Sequence, residues 1–167
     1  MNTKLLIGLV AVVLSSSVPS LDAQTQKEEM PIVNHPLAKI EITAAKVNER
    51  NDGKLSFVVK NGSSSTVKVV QDYLPWNTTS ALKLLAVPLA KGAAPVEPVQ
   101  PFEDPRATVQ EIAGNAELRG ELDVARFFPR WKELVKQGVL LVWSLNLYDV
   151  ETGQDRRFNG VIEYRAK

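Results

Sequence analysis

From residue 40 onward, apolar and polar positions alternate with a period of two, the spacing of a strand that buries one face. Ile40, Ile42 and Ala44 alternate with Glu41 and Thr43. Asn51-Asp52-Gly53 reads as a turn, because these residue types tolerate the left-handed backbone that tight turns require. Leu55, Phe57 and Val59 then share one face, with Lys54, Ser56, Val58 and Lys60 on the other. Asn61-Gly62-Ser63-Ser64-Ser65 makes the next turn, and Val67 and Val69 alternate with Thr66 and Lys68. Three short strands separated by turn clusters are an all-β opening.

The pattern continues with longer interruptions. Tyr73-Leu74-Pro75-Trp76-Asn77 breaks the alternation, which resumes at Leu82, Leu84 and Ala86 and closes at Pro88. After a turn at Lys91 to Ala94, the prolines at 95, 98, 101 and 105 confine Val96 and Val99 to a sheet edge or to a loop. Thr108 to Ile112 is a short strand candidate, followed by a turn at Ala113 to Ala116. Leu118, Gly120, Leu122 and Val124 then alternate with Glu117, Arg119, Glu121 and Asp123, the cleanest period-two run in the chain.

One segment follows a helical period instead. Pro129 stands at a first helical position, Trp131, Leu134 and Val135 share a face, and Gly138 stands where a C-terminal cap belongs. Arg130 to Gln137 is therefore a two-turn helix, expected to cross from one sheet to another. Val139 to Leu147 is the most hydrophobic strand, and Glu151-Thr152-Gly153-Gln154 turns it back into Phe158 to Tyr164. Val139 to Val142 is apolar on both faces, which predicts a central strand covered on both sides. About eight or nine short strands and one helix predict an immunoglobulin-like antiparallel β-sandwich over residues 38–167. A jelly roll is the alternative.

The N-terminus follows another pattern. Lys4 precedes the unbroken apolar run Leu5 to Leu14, and a small and polar stretch follows from Ser15 to Ala23. That run is well short of the ~20 residues a membrane-spanning helix needs, so residues 1–23 read as a secretory signal peptide. Cleavage after Ala23 or after Ser20 fits the small residue required at the cut. Residues 24–37, polar and punctuated by Pro31 and Pro36, form an extended lead-in. The expectation is a secreted or periplasmic bacterial protein with no stable membrane anchor once the signal is cleaved.

Composition narrows the chemistry. The net charge is +1, and it is unchanged by removal of residues 1–23, whose charged side chains are Lys4 and Asp22. Basic groups are scattered, with Arg156-Arg157 the tightest pair, which argues against nucleic acid as a partner. Cysteine is absent, so a disulfide framework, thiol catalysis and thiolate metal sites are excluded. Asn61-Gly62-Ser63 and Asn77-Thr78-Thr79 match the glycosylation pattern, which in a bacterial protein simply marks loops.

Catalytic signals are sparse. His35 is the one histidine, too few for an imidazole zinc site, and is expected to be a solvated tail residue. Glu103-Asp104 and the pair Asp149 and Glu151 are the carboxylate candidates for acid/base work or a hard cation. They lack the alternating spacing of a calcium loop. The glycines are isolated turn residues, and no phosphate-binding loop occurs. The expectation is a protein that is not an enzyme, with no catalytic residues, no metal and no cofactor.

Aromatic residues carry the binding signal. Trp143 lies on the buried strand and reads as core, and Trp131 with Phe127-Phe128 packs the helix against the sheets. Tyr73, Pro75, Trp76 and Asn77, together with Phe102 in the proline-rich loop, form the candidate contact surface. Prolines pre-order a loop and aromatic rings supply contact area with few rotatable bonds. The alternative role for Trp76 is to fold back and plug the end of the sandwich.

The stretch Leu55 to Asn61, then Leu74-Pro75-Trp76-Asn77, then Ala113-Gly114 and Gly120-Glu121-Leu122-Asp123-Val124, resembles small secreted bacterial immunoglobulin-like domains. More distantly it is similar to the β-sandwich pro-domains of deuterolysin-type zinc endopeptidases. The likeness covers residues 38–165. No zinc-binding histidine pair lies in the chain, so the resemblance implies a free-standing binding or inhibitory domain without protease activity. The expected function is an exported, non-catalytic module that binds a protein partner, with peptidase inhibition as one version. Carbohydrate binding through Trp76 and an envelope structural or assembly role are the alternatives.

Overall fold

The computed structural model describes residues 35–48, 51–77, 81–99 and 108–166. The expected signal peptide, Phe102 and the acid pair Glu103-Asp104 lie outside the described residues. Among those described, eight strands form: β1 (Ile40–Lys46), β2 (Lys54–Asn61), β3 (Val67–Val70), β4 (Leu82–Pro88), β5 (Val109–Ile112), β6 (Glu117–Asp123), β7 (Val139–Tyr148) and β8 (Asp155–Tyr164). They make three antiparallel sheets, ordered β1-β2-β6, β4-β7-β8 and β3-β5. The fold is an all-β sandwich with one short helix, α1 (Trp131–Lys136), as the alternation predicted.

Burial alternates along each strand because one face points into the core. Leu55, Phe57 and Val59 of β2 are wholly buried, and Leu84, Ala86, Leu141, Trp143 and Leu145 from β4 and β7 pack in one cluster with Leu55 and Phe57. This is the main core, between the two three-stranded sheets. A second cluster, built from Leu37, Ile40, Val59, Val67, Val69, Leu74, Ile112 and Leu147, lies beneath the β3-β5 sheet. Ile42, Trp76 and Phe158 pack against both clusters and so join them.

The helix is short because its ends are fixed by sequence. Pro129 precedes it, and Gly138 takes φ +75°, a left-handed conformation that ends a helix without Cβ strain. Trp131 and Leu134 point inward. The Trp131 ring meets Tyr164 edge-on at 4.9 Å, and its indole N–H donates to the carbonyl of Asn51 at 3.2 Å. The helix connects β6 in one sheet with β7 in the other, the expected crossover.

Two expectations change. β7 is central, yet only one of its faces enters the core: Leu140 and Val142 are half-buried on the outer face. Their cover is lateral, from Val87 and Leu85 on β4 and from Val161 on β8, which is itself 59% exposed. Nor is His35 a solvated tail residue. Its Nδ1 accepts from the Leu37 N–H at 3.2 Å, capping the 3-10 turn Pro36–Lys39, while Nε2 lies 3.2 Å from the Asp155 carbonyl. Those contacts fit the neutral tautomer protonated on Nε2. Arg156 clamps the same turn through the carbonyls of Leu37 and Ala38, at 2.6 and 2.8 Å. The folded unit thus begins before residue 38, because Leu37 is fully buried.

Tyr164 gives the core a pH limit. Its ring is buried beside Trp131, and its hydroxyl finds no hydrogen-bond partner among the described residues. Burial, reinforced by the Asp52 carboxylate, raises its pKa above the ordinary tyrosine value. A raised pKa means that the neutral phenol is the form compatible with folding, so the stability is intact below pH ~10 and falls as pH rises beyond it. Urea unfolding should therefore show an alkaline loss of stability that is reduced in Tyr164→Phe. Near neutral pH the variant should match the wild type, since it removes no paired hydroxyl. An identical alkaline profile in both proteins would assign the loss to other groups.

Candidate functional site

The break in alternation at residues 71–77 is a 3-10 turn, Gln71–Tyr73, followed by a tight reversal. Pro75 is buried, and the Asn77 side-chain amide donates to the Gln71 carbonyl at 2.7 Å, tying the loop to its own start. Trp76 is half-buried with its indole laid over Gly120 of β6. A Cβ at Gly120 would stand 2.0 Å from Cδ2 of that ring. The fold uses the indole that the sequence offered as a ligand contact, because the missing side chain at Gly120 opens a slot for it. Tyr73 borders a surface cleft.

The remaining acid candidate is also occupied locally. Asp149 is buried, and its carboxylate accepts from the N–H and hydroxyl of Thr152 at 2.8 and 2.7 Å, which closes the last turn. Glu151 forms an ion pair with Lys68 at 2.8 Å. The buried Asn61 is likewise structural: its amide donates to the carbonyls of Ser65 and Ile112, at 2.8 and 3.0 Å, and its oxygen accepts from Ser63. Among the described residues no group of three or more His, Cys, Asp or Glu is placed to hold a metal ion.

Depressions open at the surface among the described residues, and two of them bear on function. The larger is an apolar groove of about 400 Å³ between residues 93–99 and α1, walled by Val96, Val99, Phe128, Pro129 and Leu134. Its outer wall is set by β4: the N–H of Val96 donates to the Ala86 carbonyl at 2.7 Å, and the N–H of Ala86 returns the bond at 3.0 Å. The Val99 N–H donates to the Phe127 carbonyl at 2.8 Å, anchoring the far end. Val96 and Val99 are nevertheless 36% and 62% exposed, and the Arg130–Glu133 ion pair borders the opening. The smaller depression, about 260 Å³, is polar and is lined by Tyr73, Ala81, Lys83, Ser144, Asn146 and Arg157.

Sequence reasoning offered the proline-rich segment as part of a contact surface, and the structure adds the helix face that lies opposite residues 93–99 across the groove. Sequence reasoning did not find the polar cleft, whose residues come from three strands and from the separate turn residues Tyr73 and Ala81. Single outward polar residues on a strand are ordinary, and only the pairing of Ser144 with Lys83 and of Asn146 with Arg157 shows that they converge.

No family model matches the chain, and no curated protein is similar to it in sequence. Among solved structures, the X-ray structure of Northeast Structural Genomics Consortium target SoR45 is similar at 8% identity with a TM-score of 0.36, covering 76% of this chain and 84% of that one. A crystal structure of a protein from Archaeoglobus fulgidus is similar at 9% identity and a TM-score of 0.33, covering 77% of this chain and 95% of that one. Likeness this low carries no argument about function, and the reading rests on the geometry of the chain itself.

Proposed function

We propose that the protein is an exported, non-catalytic β-sandwich that binds a segment of a partner protein in the bacterial periplasm or outside the cell. The observation that carries this is the groove between residues 93–99 and α1. Its walls are aliphatic and aromatic, its outer strand is pinned by backbone hydrogen bonds, and two of its valines are left exposed. A concave apolar surface with a charged rim suits apolar side chains projecting from a peptide. Because the groove is held by β4 and by the Phe127 carbonyl, little ordering is needed when a ligand arrives. Export rests on the apolar run Leu5 to Leu14. The non-catalytic reading is supported by the occupation of His35 and Asp149 in local capping contacts. Peptidase inhibition is the specific version suggested by the resemblance to protease pro-domains, and in that case the occupant is a segment of the peptidase.

Selection from a displayed random-peptide library by the full chain tests the proposal. Recovered peptides should carry clustered apolar residues. Val99→Glu should bind them at least about tenfold more weakly, the effect of losing one central apolar contact. Val99 is exposed, so the substitution leaves the core intact. Peptides retained equally by the variant would place the binding surface elsewhere and remove the groove from the function.

A further inference from the structure

We propose that the outer face of the β4-β7-β8 sheet carries a second site, for a carboxylate-bearing sugar unit held between Lys83 and Arg157 beside the Tyr73 ring. This site is independent of the peptide groove. The strand register builds it: Lys83 on β4 lies opposite Ser144 on β7, and Asn146, two residues further along β7, lies opposite Arg157 on β8. The two cations therefore flank β7 diagonally, with the hydroxyl and the amide between them. Tyr73 closes one end, supported edge-on by Tyr148 with ring centres 6.5 Å apart.

Charge points to an acidic ligand. The ion pairs found among the described residues engage Lys68, Arg119, Arg130 and Arg165, and neither Lys83 nor Arg157 belongs to any of them. Arg157 is instead oriented through its Nε, which donates to the Asn146 Oδ1 at 3.2 Å. The Asn146 Nδ2 in turn reaches Asp155 at a long 3.5 Å, so the neighbouring acid is drawn to the amide and not to the guanidinium. A guanidinium oriented through its Nε, lining a cleft that a lysine also lines, is suited to a carboxylate.

The remaining lining points to a sugar. Apart from Ala81 and the Tyr73 ring, every wall is polar, and no apolar socket exists for a peptide side chain. Ser144 and Asn146 supply hydrogen-bonding partners for ring hydroxyls, and Tyr73 offers an aromatic surface for the ring C–H groups. At about 260 Å³ the cleft is smaller than sites for drug-sized ligands and matches a single ring.

Calorimetric titration of the full chain with a galacturonic acid trimer tests this, run beside the neutral galactose trimer, a glutamate-rich peptide and inorganic phosphate. The acidic trimer should bind, and binding should weaken as salt is raised. The neutral trimer and phosphate should bind at least about tenfold more weakly. Lys83→Gln and Arg157→Gln should each cost about tenfold, the effect of losing one charge-assisted hydrogen bond. Both side chains are exposed, so melting temperatures should be unchanged. Val99→Glu should leave the titration as it is, which separates this site from the groove. No binding of the acidic trimer, or equal binding by the double variant, overturns the proposal. Binding of the glutamate-rich peptide in its place, lost in the same variants, also overturns it and assigns the cleft to an acidic protein partner.

Discussion

Replacing Trp143 by alanine is expected to destabilise the domain by about 3–5 kcal/mol, the range for deleting a large core aromatic. The indole is 4% exposed and meets Phe57 edge-on, with ring centres 5.5 Å apart and planes at 80°. Directly opposite it on β8 is Gly160, where a Cβ would stand 2.7 Å from two atoms of the ring. The neighbouring strand has thus given up its side chain to admit this indole. Truncation would leave a cavity bounded on one side by strand backbone, which cannot move in to fill it, and the cost of such a change grows with the cavity that remains. Loss of the aromatic pair adds to the deficit. Folded domains are stable by about 5–15 kcal/mol, so a loss of about 3–5 kcal/mol removes roughly a fifth or more of that margin. Urea unfolding of the full chain, followed by far-ultraviolet circular dichroism, measures the difference. A loss below about 1 kcal/mol would mean that β7 does not carry the core.

The architecture was legible because the chain obeys a single period. Each of the eight strands begins within two or three residues of its expected place, and Pro129 and Gly138 bracket the helix as their backbone preferences require. What could not be read was depth. Leu140 and Val142 look like core residues by composition, but sheet neighbours cover them from the side and no second layer is implied. His35 and Leu37 look like tail residues, because the contacts that bind them come from Asp155 and Arg156, more than a hundred residues later. The binding surface was harder still. Tyr73 and Trp76 are three positions apart in the same loop, yet one borders an open cleft and the other lies over a strand. The difference is made by Gly120, whose significance appears only when β6 is placed beside the loop.

That glycine gives the second large effect expected here. Gly120→Val should destabilise the domain by about 3 kcal/mol, at the upper end of overpacking costs. Local propensity alone predicts the opposite sign, since valine is favoured over glycine in a strand by up to about 1 kcal/mol. The packing term decides the outcome. A Cβ at position 120 falls 2.0, 2.3 and 2.5 Å from Cδ2, Cγ and Cε3 of Trp76, the body of the indole and not a flexible tip. The ring would have to leave its slot, and with it would go a joint between the two core clusters. In the double variant Trp76→Ala, Gly120→Val the collision is gone. Its loss should therefore be smaller than the sum of the single losses, by a coupling of about 0.5–3 kcal/mol. Both single variants and the double variant can be compared by the same urea titration. If Gly120→Val proved neutral or stabilising, the indole would not be committed to β6, and Trp76 would return as a contact for ligands. A clear loss with strong coupling fixes Trp76 as part of the scaffold, so that Tyr73, Lys83 and Arg157, without Trp76, are the residues on which the proposed sugar site stands or falls.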